Sequence, residues 1–169
     1  MRGVLVVSPA YCLQMARYNQ WLNTRLYAVC QQLSDADRKA DKQLFFGTIH
    51  HTLNHILWGD TVWLSRFEQS DDAIPALGEE LYSDFAQLAL ARQECDSQII
   101  HWATNVDKSW LEGAVTYTSK STGKQYTKPA WLLATHLFNH ETHHRGQVTA
   151  VLSQMGLDYG VTDLPFMDD

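Results

Sequence analysis

Long basic runs are missing from this chain. Nowhere do more than two Lys or Arg residues stand together, and the formal net charge is -6. A nucleic-acid surface needs a positive stripe to neutralise phosphates, so neither nucleic acid nor an anionic membrane is an expected partner. Cysteine is scarce as well. Cys12, Cys30 and Cys95 are odd in number and far apart, which excludes a CxxC pair and a disulfide framework and fits a reducing cytoplasm. No apolar run approaches the roughly 18 residues of a membrane span. The early "GVLVV" is too short for a signal-peptide core and lacks its flanks. Internal repeats and low-complexity tracts are also absent.

What remains is globular. The 169 residues, 45% hydrophobic and 19% charged, fit one domain spanning 1–169 that can bury its own core. Six Trp and seven Tyr provide large aromatic walls.

Periodicity predicts an all-α chain with four long helices and one hairpin. The first helix runs from about Ser8 to Leu33, with Met15, Leu22, Leu26, Val29 and Leu33 on one stripe. "SDADRKAD" then breaks the pattern. The second runs from about Asp41 to Glu68, with Leu44, Phe45, Ile49, Leu53, Ile56, Val62, Trp63 and Phe67 forming a wide arc. Gly47 falls inside it, at a cost of roughly 1 kcal/mol against Ala. "EQSDDAIPALGEE" reads as a loop punctuated by Pro75 and Gly78. Ser83 is the expected N-cap of the third helix, whose stripe of Phe85, Leu88, Cys95, Ile99, Trp102 and Val106 lasts to about Asn105. "GAVTYTSKSTGKQYTKPAW" changes period and reads as two short strands joined near Thr122-Gly123. Pro129 then opens the fourth helix, which ends near Met155 with Gly156 as its left-handed stop. "TDLPFMDD" is a tail, docked or loose. Amphipathic helices of this length bury their stripes on one another, so a four-helix bundle is expected.

Three of the eight histidines lie in "NHETHHRGQ", residues 139–147. On a helical wheel, Leu133, Leu137, Val148, Val151 and Met155 occupy an arc about 60° wide. His144 lies in its middle and His140 at its edge. His136 is about 90° away, and His143 is further round, nearer the rim. Residues i and i+4 share a face, and two imidazoles so placed can bind one cation. Two buried core histidines, each with its own polar partner, are the competing reading. A bundle takes metal ligands from facing helices. On the second helix His50 and Asn54 fall on the polar side, His51 lies further out, and His55 borders the apolar arc. His101 beside Trp102 reads as a surface or packing residue. His55, His140 and His144 together would leave a coordination position open, as catalytic metal sites do. Imidazole suits Zn, Ni, Cu or Fe alike.

"TLNHILWGDTVWLSRF" followed by "HLFNHETHHRGQV" resembles the DinB family of small bacterial proteins, also described as DinB/YfiT-like metalloenzymes. The resemblance covers nearly the whole chain. It implies a four-helix bundle with crossed connectivity, often dimeric, and a metal, nickel or zinc, held by three histidines. Matched by position, these are His55, His140 and His144. Some relatives of this family are S-transferases or isomerases that use a low-molecular-weight thiol.

Three functions compete. The first is a metal-dependent enzyme acting on a small molecule, by thiol transfer or by hydrolysis. The others are a metal-binding stress protein without turnover and an interaction bundle without metal. An enzyme needs a cavity of a few hundred Å³ over the rings, whereas Trp58, Trp63 or Trp131 would seal a structural cluster. Glu141, Asn54 and Asp60 are candidate supports for the ligand rings. Glu141 and Arg145 are also spaced to pair on a helix surface. Gly146 and Gln147 suit close helix contact and capping. The Tyr117 and Tyr126 hairpin would lid the bundle or form a dimer edge.

Overall fold

The structure is a computed structural model and describes residues 7–70, 76, 78–119 and 122–167. Most of "GVLVV", Pro75 and the last two residues of the tail lie outside the described residues.

The first helix starts where its cap does. The Ser8 hydroxyl accepts from the Tyr11 amide at 3.1 Å, and α1 spans Pro9–Gln31. Such a cap contributes about 1 kcal/mol. The break after it holds a short helix, α2 (Asp35–Lys39), capped by Ser34. The second long helix, α3, is Ile49–Glu68, eight residues shorter than the apolar arc predicts. Backbone geometry explains the difference. Gln43 and Gly47 have φ of 57° and 76°, and Leu44 bridges to Gly47, so residues 41–48 form a tight turn that no helix can include. Thr48 caps α3 through the His51 amide at 2.9 Å. Phe45, placed in the apolar arc by its spacing, is 82% exposed on this turn.

Helix α4 is Phe85–Asn105, capped by Asp84 rather than Ser83; the Asp84 carboxylate takes the Gln87 amide at 2.9 Å. After a short α5 (Lys108–Glu112) come β1 (Ala114–Thr118) and β2 (Gln125–Pro129). They pair antiparallel with Tyr117 opposite Tyr126, and Gly123 in the connection has φ 67°. Helix α6 is Ala130–Gln154. Gly156 ends it with φ 75°, and the Leu157 amide reaches back to the Leu152 carbonyl at 2.9 Å.

Four long helices form the bundle. Helix α1 packs on α4 and α6, and α3 packs on the same two. Helices α1 and α3, consecutive long helices in the chain, therefore lie across the diagonal, and the connectivity is crossed. Leu26, Leu53, Ile56, Leu88, Ile99, Leu137 and Leu152 fill the centre. The tail returns along α1, where the Tyr18 hydroxyl and Arg25 donate to the Thr162 and Val161 carbonyls at 2.5 and 2.7 Å. The hairpin packs against α3 and α6, with the Arg66 guanidinium lying over both the Trp63 and Tyr117 rings. Among the described residues, no helix is long and apolar enough to cross a membrane.

Candidate metal centre

The adjacency of α3 and α6 decides which histidines meet. His140 and His144 stand one turn apart on α6, with ring centroids 4.6 Å apart. His55 comes across from α3, 4.9 Å from the His140 ring and 4.6 Å from the His144 ring. One ring nitrogen from each lies within 4.8 Å of those from the other two. His55 Nε2 is 3.0 Å from His140 Nε2. Two nitrogens bound to one ion at 2.0–2.1 Å stand about 2.9–3.4 Å apart at ordinary coordination angles. The residues present therefore fit a divalent transition-metal ion.

The protonation states fit too. Burial, with His140 and His144 adding to it, lowers the His55 pKa to about 3. Burial and the neighbouring imidazoles His144 and His136 lower His140 to about 4. Burial also lowers His144. All three rings are thus neutral at neutral pH, the state a ligand needs.

Each ring has its own positioning device. His144 Nδ1 lies 2.9 Å from the Gln147 amide oxygen. An N–H donated there leaves Nε2 with its lone pair free for the cluster. The Gln147 amide nitrogen faces His143 Nε2 at 3.3 Å, so exposed His143 supports the cluster from outside. Sequence spacing assigned Gln147 to helix contact and capping; the structure instead makes it the orienting partner of His144. The His140 ring lies against Gly59 of α3. A Cβ there would stand only 2.6 Å from His140 Cε1, so the absent side chain at position 59 makes room for the ring. His55 is sandwiched, with Phe46 stacked at 3.9 Å and Trp58 at 5.6 Å. Phe46 also leans on His144 at 5.6 Å and covers the cluster on that side. Its place in the turn before α3 is a tertiary feature that periodicity does not signal.

Trp58 walls the site, as the sequence allowed. Trp63 instead meets His136 and Tyr117, and His136 stays outside the cluster. Beside His55 opens a small pocket of about 90 Å³, lined by Phe46, His51, Asn54, His55, Trp58, Gly78, Glu79 and Glu80.

The three candidate supports act elsewhere. His50 and Asn54, expected on a polar face, are 0% and 2% exposed. The segment leading into α4 lies over them. His50 Nε2 donates to the Tyr82 carbonyl at 2.9 Å, and Asn54 takes the Tyr82 amide at 2.9 Å while donating to its carbonyl. Asp60 and Glu141 belong to a buried ionic network that draws on all four long helices. Arg92 of α4 meets Asp60 at 2.5 Å, Asp96 at 3.0 Å and Glu141 at 3.4 Å. Arg145 meets the other Glu141 oxygen. Asn19 and Asn23 of α1 donate to Glu141 at 2.6 and 3.3 Å. Glu141 and Arg145 thus pair in the interior, not on the helix surface.

Burial and the Glu141 charge raise the Asp60 pKa well above the usual carboxylate range. Against burial, Arg145 and Arg92 hold Glu141 down at about 2. Three carboxylates here face two guanidiniums, and the upward shift of Asp60 favours its protonated form in that balance. The signal was in the spacing: Arg92 continues the stripe of Leu88, Cys95 and Ile99, and Glu141 that of Leu137, His144 and Val148. The cysteines do not join the site, and burial pushes their thiols up to about 11 for Cys12 and about 12 for Cys30 and Cys95, far from reactive.

Residues 7–169 match the DinB family. The chain belongs to that family. It is 26% identical to protein DinB of Bacillus subtilis (strain 168) over 160 residues, 90% of this chain and 91% of that protein. Its fold matches the crystal structure of a DinB-like protein from Bacillus cereus ATCC 10987, with a TM-score of 0.62 and 17% identity over 83% of this chain and 90% of the other. The crossed four-helix bundle is thus the DinB architecture, and the three-histidine cluster of this DinB chain fits a metal-binding site.

Proposed function

We propose that this chain is a metal-dependent enzyme whose divalent ion, nickel or zinc, is held by His55, His140 and His144, and that it transfers a small thiol to an electrophilic substrate. One observation carries the reading: three neutral, buried or half-buried imidazoles from two helices converge with ring nitrogens within 4.8 Å. Three protein ligands leave room for a further group, the composition of catalytic rather than structural sites. An ion held there would lower the pKa of a thiol or water that reaches it, supplying a nucleophile near neutral pH.

The chain's own residues do the rest. Gln147 fixes the His144 tautomer, Gly59 lets the His140 ring seat against α3, and Phe46 with Trp58 stacks on the His55 ring. The pocket beside His55, about 90 Å³, has room for the reacting end of a small substrate. Metal-dependent hydrolysis is the second reading, favoured by the same open position. The family resemblance supports a homodimer, which light scattering would test.

The test is metal content by mass spectrometry on untagged protein, alongside His144→Ala. The expected result is close to one transition-metal ion per chain, lost in the variant. A chain that stays metal-free after incubation with zinc and with nickel would overturn the proposal and leave the histidines as a buried polar network.

A further inference from the structure

The pocket beside His55 has a chemical bias of its own. Phe46 and Trp58 form its aromatic walls, and Glu79 and Glu80 form its acidic rim. Among the described residues, no Lys or Arg lines it. Glu79 accepts from the Ala76 backbone amide at 2.9 Å, a neutral donor, and no Lys or Arg among the described residues pairs with it. Glu80 faces His50 Nε2 at 3.1 Å and His51 Nε2 at 3.8 Å. Burial lowers the His50 pKa, so that ring donates as a neutral group and the Glu80 charge also stands.

Aromatic faces carry negative potential and attract cations, and His55 takes one face of each of these two rings. Two carboxylates beside such faces strengthen that preference and repel anionic groups. His55 belongs to both the pocket and the cluster, so a molecule whose reacting end reaches the cluster would place its next few atoms among these groups. We propose that this pocket selects substrates carrying an ammonium-type cation close to their reacting group, with Phe46 and Trp58 as walls and Glu79 and Glu80 as counter-charges. This inference rests on the metal reading above, and its test separates the two.

The full chain would be loaded with Co(II), whose visible absorption reports an intact site. Cysteamine, 2-mercaptoethanol and 3-mercaptopropionate would then be titrated in at fixed pH and salt, following the sulfur-to-cobalt charge-transfer band. These thiols differ in intrinsic acidity, so the comparison is between the parent chain and Glu79→Gln/Glu80→Gln, which cancels that difference. The double variant is expected to bind cysteamine on the order of tenfold more weakly, to leave 2-mercaptoethanol unchanged and to bind 3-mercaptopropionate more tightly. Glu79→Gln alone, which removes a carboxylate that among the described residues bonds a loop amide, is expected to move the same way by roughly threefold. It carries the test if the double variant folds poorly. Equal changes for all three thiols, or none, with the cobalt spectrum intact, would sink the pocket proposal and leave the metal site standing. A parent chain that binds no cobalt would overturn the metal reading itself.

Discussion

Gly59→Ala is the sharpest single probe of this site. The backbone at position 59 is ordinary α3 helix, so alanine is conformationally welcome and gains about 1 kcal/mol of helix propensity. The obstacle lies across the helix interface. The new Cβ would stand 2.6 Å from His140 Cε1, 3.0 Å from Nδ1 and 3.6 Å from Nε2. Carbon–carbon contacts settle at about 3.5–4.0 Å, so the ring must retreat by about 1 Å. Metal–ligand distances tolerate only about 0.2 Å. The His140 nitrogen would therefore leave the position that now puts it 3.0 Å from His55 Nε2. Losses of 10–100-fold are typical when a ligand's support is disturbed, so metal affinity should fall by about that factor, or about 1.4–2.8 kcal/mol. Competition against a chromophoric chelator measures the affinity, and circular-dichroism melting of the metal-free chain shows whether the fold survives. A folded Gly59→Ala protein with parental metal affinity would refute the argument, because His140 would then not be held where the structure puts it.

Other outcomes follow from the same geometry. Gln147→Leu frees the His144 ring to rotate and should cost about tenfold in metal affinity with little change in melting temperature; an unaltered affinity in the chelator assay would remove Gln147 from the site. Arg92→Met strips the shared cation from Asp60, Asp96 and Glu141 and should destabilise the chain by about 3–5 kcal/mol in urea unfolding, whereas a loss below about 1 kcal/mol, the scale of an exposed pair, would mean that water reaches those carboxylates. With His55 held at about 3, His140 at about 4 and His144 lowered from its ordinary value, metal should be lost only below the ordinary histidine range, and a loss with a midpoint near the ordinary histidine value of 6.5 would contradict the buried, neutral rings. The sign for the metal-free fold follows from linkage. The unfolded chain takes up protons first, so the contribution of these rings is complete above about 6.5 and declines as pH falls toward the lowered folded values.

Local rules made much of the chain legible. Ser8, Pro129 and Gly156 mark helix ends because caps, fixed φ and left-handed stops are properties of a few neighbouring residues. The i,i+4 spacing of His140 and His144 places both on one face of any helix that contains them. Local context also misleads at one point. An apolar arc drawn through residues 41–48 counts Gly47 only as a small helix penalty, whereas its positive φ turns the chain there and puts Phe46 over the cluster.

Only the tertiary structure could decide the rest. His55 and His140 are 85 residues apart in sequence, and they meet because the crossed connectivity sets α3 beside α6. Wheel geometry gave His55 a better claim than His50, yet both turned out buried, one in the cluster and one pinning Tyr82. Arg92 and Glu141 fall on the apolar stripes of their helices, but a wheel does not name the charges they meet. A polar residue has the same helical spacing whether it faces water or a charge on another helix. Which of the two it meets depends on how the helices pack, and packing brings together residues that no local pattern connects.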